Sequence, residues 1–314
     1  MRSITKLIEQ IRRQTENEEY DNTFIGINDD EIVQYINDAQ YNLQALIVQQ
    51  HPRAFINEVI IPVVPGKEEY ELPTDCFLGN KVHNVEYSPT GNLEDYYVLE
   101  QETIKSRVSG VNGSPTKYIL MTKKILLAPQ PSGSGALRIN YVQRLRELDR
   151  RQARLASKSF NISPNGSILL EFNETKLTTG LQSLKDHEYL CIVDKSGKDI
   201  ARNLLIDEDY NNNSGAFKVI NTTSNSINID ALYNPLYVVG GLDTTTHAEV
   251  DISVERYLIS YCAYKVLKRD SSVDSAEAIA ELTAMAQEIV KSYSLITDDV
   301  QFIPQLNSWE DWSV

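Results

Sequence analysis

The hydrophobic period of the chain changes twice, and these changes set most of what it can fold into. Between Asn28 and Gln50, Ile32, Ile36, Ala39, Leu43, Leu46 and Ile47 recur at helical spacing. Asn28 with Glu31 makes a capping-box-like start, and Asp29 and Asp30 suit the positive end of a helix dipole. Pro52 stops this helix, because the residue before a proline disfavours helical backbone. From Phe55 to Val142 the spacing is that of strands. Phe55–Val64 is apolar and β-branched, with Pro62 marking an edge or a strand end. Lys81–Tyr87 alternates apolar and polar, and Tyr118–Met121 and Lys124–Ala128 flank Thr122-Lys123 like a hairpin.

Helical spacing also marks both ends of the chain. Near the start, Ser3 can cap a short helix carrying Ile4, Leu7, Ile8 and Ile11. After residue 250, Ser253 can cap a helix with Tyr257, Leu258, Tyr261, Cys262 and Val266 on one face. A last helix, about 274–295, carries Ala278, Leu282, Met285, Ile289 and Val290. In between, Ser167–Phe172, Glu188–Val193, Ala216–Ile220, Ser226–Asp230 and Leu236–Val239 predict a further set of strands. The expected class is α+β. An α-helical core of N-terminal helices and a C-terminal helix pair carries an antiparallel β segment and an inserted β-rich domain. The expected domains are 1–158 with 251–297 as the core, 159–250 as the insertion, and 298–314 as an extended tail.

Composition narrows the function. Thirty Lys and Arg against 44 Asp and Glu give a net charge of −14, which disfavours wrapping nucleic acid. No apolar run approaches the ~18 residues of a membrane span. Cys76, Cys191 and Cys262 are odd in number and far apart, which argues against a disulfide framework or a cysteine zinc site. No phosphate-binding glycine loop, nucleophile elbow or metalloprotease motif occurs. Asp186-His187-Glu188 reads as surface loop, since neighbouring strand residues point to opposite faces. Asp207-Glu208-Asp209 reads as a solvated turn, and Cys262 as a buried structural thiol. The expectation is a protein that is not an enzyme, without cofactor or metal.

Two segments stand out as partner-binding candidates. Residues 143–158 carry Arg144, Arg146, Arg150, Arg151, Arg154 and Lys158 against Glu147 and Asp149. The loose helical spacing of Val142, Leu145 and Leu148 predicts a helix here. It either grips DNA phosphate or an acidic partner, or is a solvated connector paired with the chain's own acids. The end of the chain holds Phe302 and the only two tryptophans, Trp309 and Trp312. Aromatics on an extended terminus suit anchors filling pockets on a partner; packing back on the chain's own surface is the alternative.

Several short motifs resemble a known family. They are Tyr70-Glu71-Leu72-Pro73-Thr74-Asp75, Ser114-Pro115-Thr116-Lys117-Tyr118, Leu126-Leu127-Ala128-Pro129-Gln130-Pro131 and Leu137-Arg138-Ile139-Asn140-Tyr141. With the helix before them and two helices closing the chain, they resemble the head-to-tail connector (adaptor) proteins of tailed bacteriophages, short-tailed or crAss-like. The resemblance covers about 25–145 and 248–297 and leaves 159–250 aside. It implies a virion protein of the neck or tail, assembled in the host cytoplasm and free of membrane. It implies a homo-oligomeric ring, usually of twelve subunits, between the portal protein and the next tail or ring protein. DNA would pass through without sequence-specific binding. In that setting Phe302, Trp309 and Trp312 are the candidate portal-docking residues. The alternatives are a different virion protein whose insertion binds a glycan or protein through Tyr189, Tyr210, Tyr233 and Tyr237, and a carboxylate-based hydrolase.

Overall fold

A computed structural model describes residues 3–15, 27–104, 111–156, 159–172, 184, 187–207, 216–223, 226–229, 235–269 and 275–302. The class is α+β. The helices are α1 (Ile4–Gln14), α2 (Asp29–Gln50), α3 (Ile252–Arg269) and α4 (Ser275–Phe302). The bounds of α2 are those set by its cap and by Pro52, and Asn28 Oδ1 accepts the Glu31 N–H at 2.7 Å. Two other ends differ from expectation. Ser3 makes no side-chain cap; instead the Ile4 N–H donates to the Thr246 carbonyl at 2.8 Å. Helix α3 begins before Ser253, because the Asp251 carbonyl already accepts the N–H groups of Val254 and Glu255. Helix α4 continues past Thr297 to Phe302. Chain contacts define two compact units, 1–41 with 146–285 and 42–145 with 286–314.

The second of these units holds the β segment. Its strands are β1 (Ile56–Val63), β2 (Glu69–Glu71), β3 (Val82–Ser88), β4 (Tyr97–Val98), β5 (Glu100–Glu102), β6 (Asn112–Gly113), β7 (Lys117–Met121), β8 (Lys124–Ala128), β9 (Gln130–Pro131) and β10 (Gly135–Val142). One sheet runs β1-β10-β3-β4, all antiparallel; the other runs β2-β8-β7-β5, and β6 pairs with β9. Alternation along β10 turns Leu137, Ile139 and Tyr141 inward. They share one core with Val85 and Tyr87 of β3 and with Ile125 and Leu127 of β8. The predicted β7–β8 hairpin forms, with Lys123 in the left-handed region at φ 64°.

The connector-like motif has a mechanical role in this unit. The Tyr70 hydroxyl donates to the Lys67 carbonyl at 3.0 Å and accepts the Val64 N–H at 3.0 Å, closing the turn after β1. Asp75 holds the end of β10: its carboxylate accepts the Tyr141 hydroxyl and Gln143 Nε2, each at 2.9 Å. Burial raises the Tyr141 phenol above its ordinary pKa, and the adjacent Asp75 charge raises it further. Gly135 is needed where β10 meets β3, because a Cβ there would lie 2.4 Å from the Ser88 carbonyl oxygen. Gly135→Ala is therefore expected to cost about 1–3 kcal/mol by overpacking, read as a lower urea midpoint.

In the first unit, α1 buries Ile4, Leu7, Ile8 and Ile11 and packs on α3. Its strands are β11 (Glu147–Leu148), β12 (Ala153–Arg154), β13 (Phe160–Ile162), β14 (Ser167–Glu171), β15 (Tyr189–Val193), β16 (Asp199–Ile206), β17 (Ala216–Asn221), β18 (Ile227–Ile229), β19 (Tyr237–Gly240) and β20 (Thr244–Thr245). Six of them form the antiparallel sheet β12-β19-β15-β16-β17-β14. Leu170, Leu190, Ile192, Leu204, Val219 and Val238 form the centre of its core. The predicted strands of this region are present; β13, β16 and β20 are additional. Residues 143–158 are a correction. The described part, 143–156, is not helical but extended, with β11 parallel to β20 and β12 antiparallel to β19.

Candidate functional site

The extended course of this segment has a physical cause. Its main chain is gripped by carboxamides on the buried side of α2. In the first unit, Asn37 Nδ2 donates to the Leu148 carbonyl at 3.0 Å and Asn37 Oδ1 accepts the Leu148 N–H at 2.8 Å. Gln40 Nε2 donates to the Arg146 carbonyl at 2.7 Å. In the second unit, Gln44 Nε2 donates to the Gln143 carbonyl at 2.7 Å, and Gln44 Oε1 accepts the Leu145 N–H at 3.1 Å. Each amide satisfies groups that a helix would have satisfied internally. The sequence reading missed these residues. Their signal was polar side chains at i, i+3 and i+7 on an apolar arc.

The arginines are largely engaged within their own unit. Arg146 is buried, 7% exposed. Its guanidinium pairs with Asp199 and with Glu249 at 2.6 Å, and the Glu249 carboxylate also accepts the Arg146 N–H at 3.1 Å. Burial alone would lower the Arg146 pKa. The hydrogen bonds and charges of Glu249 and Asp199 outweigh it, so the net shift is upward and the group stays ionised. Arg150 pairs with Asp29 at 3.0 Å and with Asp30. Arg151 donates to the Lys195 carbonyl at 2.8 Å and lies 4.0 Å over the Tyr237 ring. Arg144, in the second unit, is half-buried, and its main-chain N–H donates to the Asp75 carbonyl at 2.6 Å. Arg154, on β12, is the exposed one of the five.

A cleft of about 640 Å³ opens beside this segment within the first unit. Gln34 and Asn37 of α2 form one wall, Asp149 and Arg150 line it from the segment, and His187 and Gly240 line it from the sheet. His187 lies in a loop, as read from the sequence, and is half-buried against Gly240. A Cβ at Gly240 would fall 2.2 Å from the imidazole, so only glycine admits the ring. Burial pushes the Asp149 carboxyl above its ordinary pKa, opposed by the Arg150 N–H (2.7 Å), Gln152 Nε2 (3.2 Å) and the charge of His187. A carboxyl raised on folding stabilises the fold below its unfolded pKa and loses that contribution as pH climbs through the folded value. Asp149→Asn should therefore gain stability over the parent as pH rises above about 4, with no difference below it. Urea midpoints across pH 3–8 check this.

The remaining candidates divide. Trp309, Trp312 and the Phe302 side chain lie outside the described residues, as do Lys158, Glu208, Asp209, Tyr210 and Tyr233. Tyr189 and Tyr237 are not brought together: β15–β19 pairing sets Tyr237 opposite Val193, at the far end from Tyr189. Cys262 is buried, and burial raises its thiol well above the ordinary value, as expected of a structural thiol. Among the described residues, no cluster of three or more His, Cys, Asp or Glu could hold a metal ion. No described helix is long and apolar enough to cross a membrane.

Comparison with known families decides among the readings. Residues 2–156 match the family described as SU10 adaptor protein. Over this stretch the chain is similar to the SU10 adaptor family. The match takes in α2, the Tyr70–Asp75 turn, both sheets of the second unit and the Arg144–Arg154 segment. It bears out the resemblance to phage head-to-tail connectors over 25–145, while the closing helices of 248–297 lie beyond the match. The adaptor match stops before β13, so the strands from β13 to β19 lie beyond it. No curated protein matches the chain. The family is a structural one, and this likeness supports a structural protein of the virion neck or tail.

Proposed function

We propose that the chain is a non-catalytic ring subunit joining the capsid portal to the tail and leaving a channel for DNA. The observation that carries this is the adaptor match over residues 2–156, together with the structural work done there by the motif residues Tyr70 and Asp75. The surplus of acid, −14 overall, supports passage without adhesion, since like charges repel. Arg146, Arg150 and Arg151 are spent on internal contacts, which also favours passage over gripping. Arg154, exposed on β12, and Arg144 are the proposed contacts to a charged partner. Twelve copies, as is usual for connectors, would close the ring by one heterologous contact repeated by rotation. Assembly would take place in the host cytoplasm, with the next tail protein added below. The strands over 159–250 are built into the first unit, where their sheet also takes up β12.

In this reading, the end of the chain docks on the portal through Phe302, the last residue of α4, and through Trp309 and Trp312 beyond it. Trp309→Ala with Trp312→Ala is expected to weaken portal binding at least ~10-fold while circular dichroism stays unchanged. Titration of purified portal with parent and variant chains measures it; equal affinities would return the tryptophans to the chain's own surface. Mass photometry of the same mixtures tests the ring. A chain that stays monomeric with portal present contradicts the proposal.

A further inference from the structure

We infer that the ring contact is made by the two edges of one sheet, β1 of one copy adding to β4 of the next. This deepens the ring reading and rests on it. The sheet order β1-β10-β3-β4 leaves β1 and β4 as its edges. Which backbone groups point outward follows from the pairing. The Gln143 N–H donates to the Phe55 carbonyl, so odd-numbered residues of β1 face β10 and Ile56, Glu58 and Ile60 turn their N–H and C=O away from it, the Glu58 N–H meeting Asn57 Oδ1 at 2.9 Å. Pro62 falls in the same outward set, where a missing N–H costs no internal pairing. On the other edge the Leu99 N–H donates to the Val85 carbonyl, so Val98 is the outward residue of β4.

Both edges expose apolar side chains at these outward positions. Ile56 is 39% exposed, Ile60 49% and Val98 62%. Register places Val98 on the same face as Glu86, Arg138 and Ile60. An uncovered edge with apolar residues is a template for another strand. The polarity fits a second copy. Successive antiparallel pairings make β4 run opposite to β1, so β4 of a neighbour meets β1 as a further antiparallel strand. Using opposite edges makes the contact heterologous, as a closed ring requires.

Charge supports the pairing and selects its register. Exposed Arg53 precedes β1 and exposed Lys67 follows it, whereas exposed Glu94 and Asp95 precede β4 and exposed Glu100 follows it. Laid antiparallel, Arg53 falls at the Glu100 end and Lys67 lies on the side of Glu94 and Asp95. Setting Ile60 opposite Val98 would put Glu58 opposite Glu100, two like charges. Setting Ile56 opposite Val98 puts Glu58 opposite Tyr96 instead. The assigned contact is Ile56 to Val98.

A double-cysteine chain tests this directly. Within one copy β1 and β4 are three strand spacings apart, roughly 14 Å, too far for a disulfide. Across the proposed contact a hydrogen-bonded pair has its Cα atoms about 5.5 Å apart, within disulfide range. The native cysteines Cys76, Cys191 and Cys262 are buried. Full-length Ile56→Cys with Val98→Cys, assembled with portal and oxidised, should give a ladder of covalent multimers on a non-reducing gel. The chains with one new cysteine should stop at dimers or below. Ile60→Cys with Val98→Cys should crosslink at least ~10-fold less. Mass photometry of the same samples separates the outcomes. Rings without a ladder overturn the edge contact and leave the ring reading standing. Monomers in both parent and variant, with portal present, overturn both.

Discussion

Replacing Arg146 with alanine should destabilise the first unit by about 3 kcal/mol, among the largest effects expected of any charged side chain in the molecule. Its guanidinium is 8% exposed and sits between Asp199, 18% exposed, and Glu249, 24% exposed. Taking the cation away leaves two carboxylates close together with their common counter-charge gone. Breaking a buried pair from one side costs roughly 3–5 kcal/mol, and the partial exposure of both acids sets the lower end. Arg202 remains on Asp199 at 2.5 Å, so the Glu249 side bears more of the loss. Hydrogen exchange localises the effect: protection should fall in β16 and around Glu249 and remain in β1–β10. Adding Asp199→Asn and Glu249→Gln to Arg146→Met should restore most of it. An unchanged urea midpoint for Arg146→Ala would show that the cluster contributes nothing.

Gln44→Leu is the second large effect. Gln44 is 1% exposed, and leucine nearly fills its volume, so the change isolates hydrogen bonding from cavity formation. The Gln143 carbonyl and the Leu145 N–H lose their partner together. An unsatisfied buried polar group costs roughly 1–3 kcal/mol, or about 2–6 kcal/mol for two, and the half-burial of Gln143 and Leu145 sets the lower part of that range, about 2–4 kcal/mol. Thermal unfolding of the full chain, followed by exchange at the Leu145 amide, checks both size and place. Exchange at Leu145 no faster than in the parent would contradict it.

Local sequence chemistry carried much of the fold. The cap at Asn28, the stop before Pro52 and the hairpin about Lys123 each follow from neighbours in the chain. Pro62 marked β1 as an edge for a reason visible in the pairing: its missing N–H faces outward. The misread segments depend on distant residues. Arg146 is paired with acids 53 and 103 residues away, and Leu148 with an asparagine 111 residues away. Apolar spacing from Val142 to Leu148 therefore resembled a helix, while the backbone partners lay on α2. Strand β16 escaped notice because Asp199, Arg202 and Asn203 interrupt its alternation. Asn203 sits at φ 54°, and the pairing with β15 is irregular across Leu190–Val193. His187 gained its site only through contact with Gly240 across the fold.

Image reconstruction of the assembled particle neck tests the central claim most directly. The account predicts a closed ring of copies of this chain between portal and tail, around an open channel, with neighbouring copies joined edge to edge at β1 and β4. Density for this chain outside the portal–tail junction, or as isolated copies without rotational closure, would contradict it.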